Sequence, residues 1–158
     1  KADDKAGYSL LYSMVMGNYT FGSRITGIND MPINDKLFIL QSDIIKSAAD
    51  KGPCVIIGRC GDYILREYDN VFRVFIHANK EARIKRILSK GLCDEKKVSD
   101  FITKRDKQRA NYYNFYSNKR WDDLSNYHLT IDSSEFDIDE VAEIIITAIG
   151  KIKPPAKK

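Results

Sequence analysis

A short apolar run, Cys54-Val55-Ile56-Ile57, begins after Gly52-Pro53 and stops at Gly58-Arg59. β-Branched residues in a run of strand length, bounded by Gly and Pro, predict a buried parallel strand over Cys54 to Gly58. Open α/β sheets hold their ligands beyond the carboxyl ends of such strands. Arg59 therefore stands where a ligand would sit, and its planar, permanently charged fork suits a phosphate or a carboxylate. The alternative is an arginine that snorkels or pairs with Asp62. Gly-Arg after a strand is too short a motif to separate the two.

Helical and strand patterns alternate through the rest of the chain. Asn34 or Asp35 can cap a predicted helix with Leu37, Leu40, Ile44 and Ile45 on one face, and Lys51-Gly52-Pro53 ends it. Gly61 to Arg66 reads as a short helix and Val71 to His77 as a strand. A helix over Asn79 to Ser89 ends at Lys90-Gly91, and Asp94 opens a long polar helix through about Tyr113. Tyr127 to Ile131 is the last predicted strand. Asp137 to Ile149 is the last helix, with Val141, Ile144, Ile145 and Ala148 on its core face. Strands separated by helices build parallel units, so the expected fold class is α/β, a parallel sheet with flanking helices. Residues 1–35, broken by Gly17, Gly22, Gly27 and Pro32, read as loop-rich. Residues 151–158, with two prolines and four lysines, read as a basic tail.

A length of 158 residues, 43% of them hydrophobic, suits one core and a single domain over 1–158. The net charge of +4 on 26 basic and 22 acidic residues is mild and does not call for nucleic acid. No apolar run reaches the length of a membrane span, no signal-type segment opens these residues, and a cytoplasmic location with no membrane partner is expected. Cys54, Cys60 and Cys93 are an odd number without metal-ligand spacing, so no protein-held metal is expected.

The basic charge is concentrated. Between Lys104 and Trp121, Lys104, Arg105, Lys107, Arg109, Lys119 and Arg120 stand against Asp106 alone. On a helix, Arg105, Arg109, Tyr112 and Tyr116 fall at i, i+4, i+7 and i+11 and make one stripe. Two arginines a turn apart can hold several phosphate oxygens together, which suits a transferring phosphoryl group. A solvated charged face is the plainer reading of such a run, and the tyrosines read mostly as packing residues.

Four pieces, in this order, resemble the cytidylate-kinase-like family of nucleoside monophosphate kinases. They are Gly58-Arg59-Cys60, the segment Ala78 to Arg86, the run Arg105-Asp106 through Tyr116, and Tyr127-His128-Leu129-Thr130-Ile131-Asp132-Ser133-Ser134. The resemblance covers about Asn34 to Ile149. It implies a P-loop kinase fold with ATP as donor and Mg²⁺ as cofactor. By the same resemblance, Arg59 binds the acceptor phosphate, and residues 1–35 form an acceptor-side region. Arg105 and Arg109 lie in a helical lid over about 94–126 and act in catalysis, while Arg86, in preference to Arg83, lies near the donor. The implied reaction is ATP-dependent phosphoryl transfer to a nucleoside monophosphate, with a pyrimidine such as CMP expected.

Two departures from the family pattern stand out. Ile57 and Cys60 occupy positions around Arg59 where better-known cytidylate kinases carry carboxylates, which leaves the acceptor base open. No Gly-x-x-x-x-Gly-Lys-Ser/Thr loop occurs in these residues, although donor phosphates and Mg²⁺ need its amides, lysine and hydroxyl. The expectation is a phosphate loop upstream of Lys1 and no turnover by these 158 residues alone. Two alternatives stay open. One is a single-stranded RNA module stacking bases on Tyr112, Tyr113, Tyr116 and Trp121, and the other is a pseudokinase that binds a nucleotide without turning it over.

Overall fold

The structure, a computed structural model, describes residues 32–152. Most of the loop-rich region expected over 1–35, and the tail beyond Ile152, lie outside the described residues. The chain divides into two units, Lys1–Ile56 and Ile57–Lys158.

In the first unit, helix α1 spans Ile33–Lys51. Neither Asn34 nor Asp35 caps it. Pro32 holds the cap position without a side-chain hydrogen bond, and its carbonyl accepts from the Asp35 and Lys36 amides at 3.0 and 3.2 Å. The turn thus closes earlier than the polar residues suggest, and Asp35 instead meets the positive end of the helix dipole. The expected stop holds, since Gly52 takes φ 146°, which side-chain-bearing residues avoid. Of the expected apolar face, Ile45 is buried while Ile44 is exposed.

The sheet of the described residues has two parallel strands, β1 (Val74–His77) and β2 (Leu129–Asp132), in register from Val74 with Leu129 to His77 with Asp132. The strand expected over Cys54 to Gly58 does not form. Residues 53–57 lack strand structure, and Val55 and Ile57 are each 90% exposed. β-Branched composition favours extended backbone, but a strand exists only where a neighbour takes its N–H and C=O groups. Among the described residues no strand does so.

The second unit is helix-dominated. Helix α2 spans Gly61–Ile64 and α3 spans Lys80–Ser89, with the Asn79 side chain accepting from the Ala82 amide at 2.8 Å to cap α3. Helix α4 spans Val98–Ser117. Asp94 does not open α4 itself: a 3-10 turn, Glu95–Lys97, intervenes. The helix runs past Tyr113 to Ser117 and stops at Asn118, whose φ of 53° is left-handed. Helix α5 spans Ile138–Lys151 and opens with a capping box: the Glu140 amide donates to Asp137 and the Asp137 amide donates to Glu140, both at 2.9 Å. On its expected core face Val141 is buried and Ile144, Ile145 and Ala148 are half-buried.

Phe75 of β1 gathers the aromatic part of this unit. Tyr127 lies at 4.9 Å between ring centroids and Trp121 at 5.3 Å, edge on. The Tyr127 hydroxyl donates to the Trp121 carbonyl at 3.0 Å, and the Trp121 amide donates to Asn114 Oδ1 at 2.8 Å. The segment after α4 is therefore folded back onto the strand and onto the helix that precedes it. Val98, Ile102, Tyr113 and Ser117 of α4 are buried, so this polar helix still supplies core.

Candidate functional site

Arg59 sits in an unusual turn. Gly58, Arg59 and Cys60 take φ values of 69°, 55° and 57°, a run of three left-handed residues. Glycine adopts this freely, but each of the other two pays about 1–2 kcal/mol for the close approach of Cβ and carbonyl. Such a run survives only where the surroundings fix it. Here Cys60 is only 3% exposed, Ile64 and Leu65 a turn further on are also buried, and the Gly58 carbonyl accepts from the Gly61 amide at 3.0 Å. Cys60 then serves as the residue before α2, its carbonyl accepting from Tyr63 and Ile64 at 3.0 and 2.9 Å.

Helix α4 meets this turn through two adjacent tyrosines. The Tyr113 hydroxyl donates to Asp62 Oδ2 at 2.6 Å, and the Arg59 guanidinium lies 6.0 Å from the centre of the Tyr112 ring. Successive helix residues point about 100° apart, so the two rings reach different parts of the same turn. Burial raises the Tyr112 and Tyr113 hydroxyls above the ordinary phenol range. Arg59 opposes that rise at Tyr112, and the hydrogen bond to Asp62 adds to it at Tyr113. Burial also pushes Cys60 up to about 12, with Asp62 adding to the rise and Arg59 opposing it. Tyr127 is pushed up to about 12 for the same first reason, with Asp62 again contributing. At neutral pH the turn therefore holds neutral phenols and a neutral thiol beside the Arg59 cation.

The arginines of α4 are held individually. The Arg105 guanidinium stacks over Phe101 at 5.4 Å and that of Arg109 over Trp121 at 5.5 Å. Arg109 Nε also lies 3.5 Å from Asp106 Oδ1 and donates to the Arg105 carbonyl at 3.4 Å. Asp106 accepts from Arg83 Nη2 at 2.7 Å, which ties α3 to α4. Arg83 is thus committed to a carboxylate, whereas Arg86, in the last turn of α3, is exposed, with its carbonyl accepting from Ser89 Oγ at 3.0 Å. Tyr112 follows Arg109 by one turn, which relates Arg59 to Arg109 through the face of one helix.

Sequence reasoning missed the contributions of Asp62, Asp106 and Tyr113. Asp106 carries a local signal, since it precedes Arg109 by three positions on a helix. Asp62 and Tyr113 are 51 residues apart and carry none. Among the described residues no group of three or more His, Cys, Asp or Glu side chains is placed to hold a metal ion. No helix among them is long and apolar enough to cross a membrane.

The profile of the cytidylate kinase-like family matches residues 1–135. A protein named cytidylate kinase from Methanosarcina barkeri is 31% identical over 106 residues, covering 64% of this chain and 57% of that relative. Another of that name from Methanoculleus marisnigri is 26% identical over 122 residues, covering 77% of this chain and 65% of the relative. The chain thus spans less than two thirds of the length of either relative. Among solved structures it is similar to an uncharacterized protein from Eubacterium ventriosum, with a TM-score of 0.71 and 31% identity over 76% of each chain. With the Gly58-Arg59 turn and the arginine-bearing helix α4 inside the matched residues, the chain belongs to the cytidylate kinase-like family.

Proposed function

We propose that the protein transfers the γ-phosphoryl group of ATP to a nucleoside monophosphate, with a pyrimidine such as CMP as the acceptor. The observation that carries this reading is Arg59, held at the head of a left-handed turn against the helix that bears Arg105 and Arg109. Arg59 holds the acceptor phosphate, and Arg105 and Arg109 neutralise the transferring group. Their present partners, a π face for each and a half-exposed carboxylate for Arg109, are weak enough to yield to phosphate oxygens. Arg86, exposed in the last turn of α3, serves the donor, and a lid over about 94–126 closes around the end of α4 that Tyr113 docks on Asp62. ATP brings Mg²⁺ to the site. The contribution of the described residues is positioning and charge neutralisation, with no covalent intermediate.

The aromatic residues of the basic segment support this reading over an RNA platform. Trp121 packs on Phe75 and Tyr112 on Tyr116, so these rings meet one another before they meet bases. Titration calorimetry with CMP, UMP, dCMP, AMP and ATP tests the reading in the full-length protein. Saturable binding of a monophosphate, weakened but still measurable in Arg59→Ala with ATP binding kept, is the expected result. Binding of no monophosphate, together with tight, salt-sensitive binding of an RNA oligomer, is the result that overturns it.

A further inference from the structure

We infer that Tyr113 and Asp62 form a positioning pair that aims Arg59 at the acceptor phosphate, an inference that rests on the reading of Arg59 given above. The left-handed conformations of Arg59 and Cys60 are sterically disfavoured, and something outside the turn must hold them. Burial of Cys60 fixes the inner side. On the outer side, the 2.6 Å hydrogen bond from the Tyr113 hydroxyl to Asp62 Oδ2 links the first turn of α2 to the core of α4. Tyr113 is buried there, so its hydroxyl occupies a fixed position.

The neighbouring Tyr112 completes the arrangement. Its ring lies 6.0 Å from the Arg59 guanidinium, so adjacent residues of α4 meet the Arg59 side chain, through Tyr112, and Asp62 three residues further on, through Tyr113. Arg109 belongs to the same helix, one turn earlier, beside Trp121. A guanidinium referenced to that helix keeps its fork in a constant relation to the arginines that meet the transferring group. Without the Tyr113 hydroxyl, the turn is free to relax toward ordinary backbone conformations and Arg59 swings away from the phosphate. Proximity effects make this matter, because a reacting group displaced by about 1 Å can forfeit roughly 100-fold in rate.

The test uses the full-length protein, with CMP, UMP, dCMP and AMP titrated separately and the tightest-bound taken as probe. Tyr113→Phe keeps the ring and removes the donor. It is expected to weaken monophosphate binding and to raise its KM about tenfold, the usual scale for one lost charged hydrogen bond, with ATP binding unchanged. Asp62→Asn keeps an acceptor oxygen and is expected to stay within about twofold of the wild type, whereas Asp62→Ala behaves as Tyr113→Phe does. The deciding measurement is Tyr113→Phe in an Arg59→Ala background, where a residue acting through Arg59 causes no further loss.

A full further loss in that background overturns the inference, as does equal weakening of ATP and monophosphate. If Arg59→Ala weakens monophosphate binding while Tyr113→Phe and Asp62→Ala do not, the inference fails and the reading of Arg59 stands. If Arg59→Ala itself changes nothing, that reading fails and the inference with it. Should Tyr113→Phe not fold, Asp62→Ala, which removes the half-exposed partner, takes its place in every comparison.

Discussion

Arg83 and Asp106 meet at 2.7 Å between Nη2 and Oδ1, and this contact pins helix α3 to helix α4. The same oxygen lies 3.5 Å from Arg109 Nε, so one carboxylate stands between two guanidinium groups. Each group of the Arg83–Asp106 pair keeps 30% of its side chain exposed, which places the pair between a surface ion pair and a buried one. Asp106→Ala should therefore cost about 1 kcal/mol of stability, measured by urea denaturation. A loss above about 3 kcal/mol would show that the contact behaves as a buried ion pair.

Arg59→Ala should weaken a nucleoside monophosphate by about 2 kcal/mol or more and leave ATP almost untouched, since one charged partner of one phosphate is removed. Arg59→Lys should recover little, because an ammonium does not reproduce a two-pronged contact. Calorimetry with both ligands checks this, and equal losses for the two would make Arg59 structural.

His128 gives stability a pH dependence of known sign. Burial, and then the neighbouring Arg73 guanidinium, lower its pKa below the ordinary histidine value of 6.5. The unfolded chain therefore takes up a proton on this ring at a higher pH than the folded one does. Its contribution is fully present above about pH 6.5 and is lost as pH falls through the lower folded value. Thermal melts of the wild type and His128→Gln at pH 7.5 and pH 5 should show the wild type losing more on acidification. An equal loss in both proteins would remove His128 from the effect.

The two cysteines that flank the Arg59 run should react differently. Cys54 is exposed, whereas Cys60 is buried and its thiol is pushed up to about 12, so almost no thiolate exists at pH 8. Iodoacetamide at pH 8 followed by peptide mass spectrometry should label Cys54 and spare Cys60 in the folded protein. Equal labelling of both would mean that the turn opens readily.

Elements marked by local chemistry were legible in the amino-acid sequence. The helices expected to begin at Asn79 and Asp137 begin one residue later, with those two residues as their caps, and Gly52 ends α1 as expected, because helix starts and stops depend on residues within a turn of one another. The two paired strands appeared within a few residues of their expected starts, shortened to the stretch over which the two chains run side by side. The run after Gly52-Pro53 did not, because β-branched composition reports a preference for extended backbone and says nothing about a partner. Around Arg59 the limit is the same. The arginine is visible from its place after the run, and Arg105 and Arg109 from their spacing, but the contacts of Arg59 with Tyr112 and of Asp62 with Tyr113 join segments about 50 residues apart and have no local signature.

The most direct test of the proposed chemistry is a coupled assay of ADP formation by the full-length protein, with ATP and Mg²⁺ and with CMP, UMP, dCMP or AMP in turn. The expected result is ADP release that depends on a monophosphate, fastest with a pyrimidine one and lost in Arg59→Ala. Absence of monophosphate-dependent ADP release with all four acceptors, from protein that still binds ATP, would contradict phosphoryl transfer and favour a nucleotide-binding role without turnover.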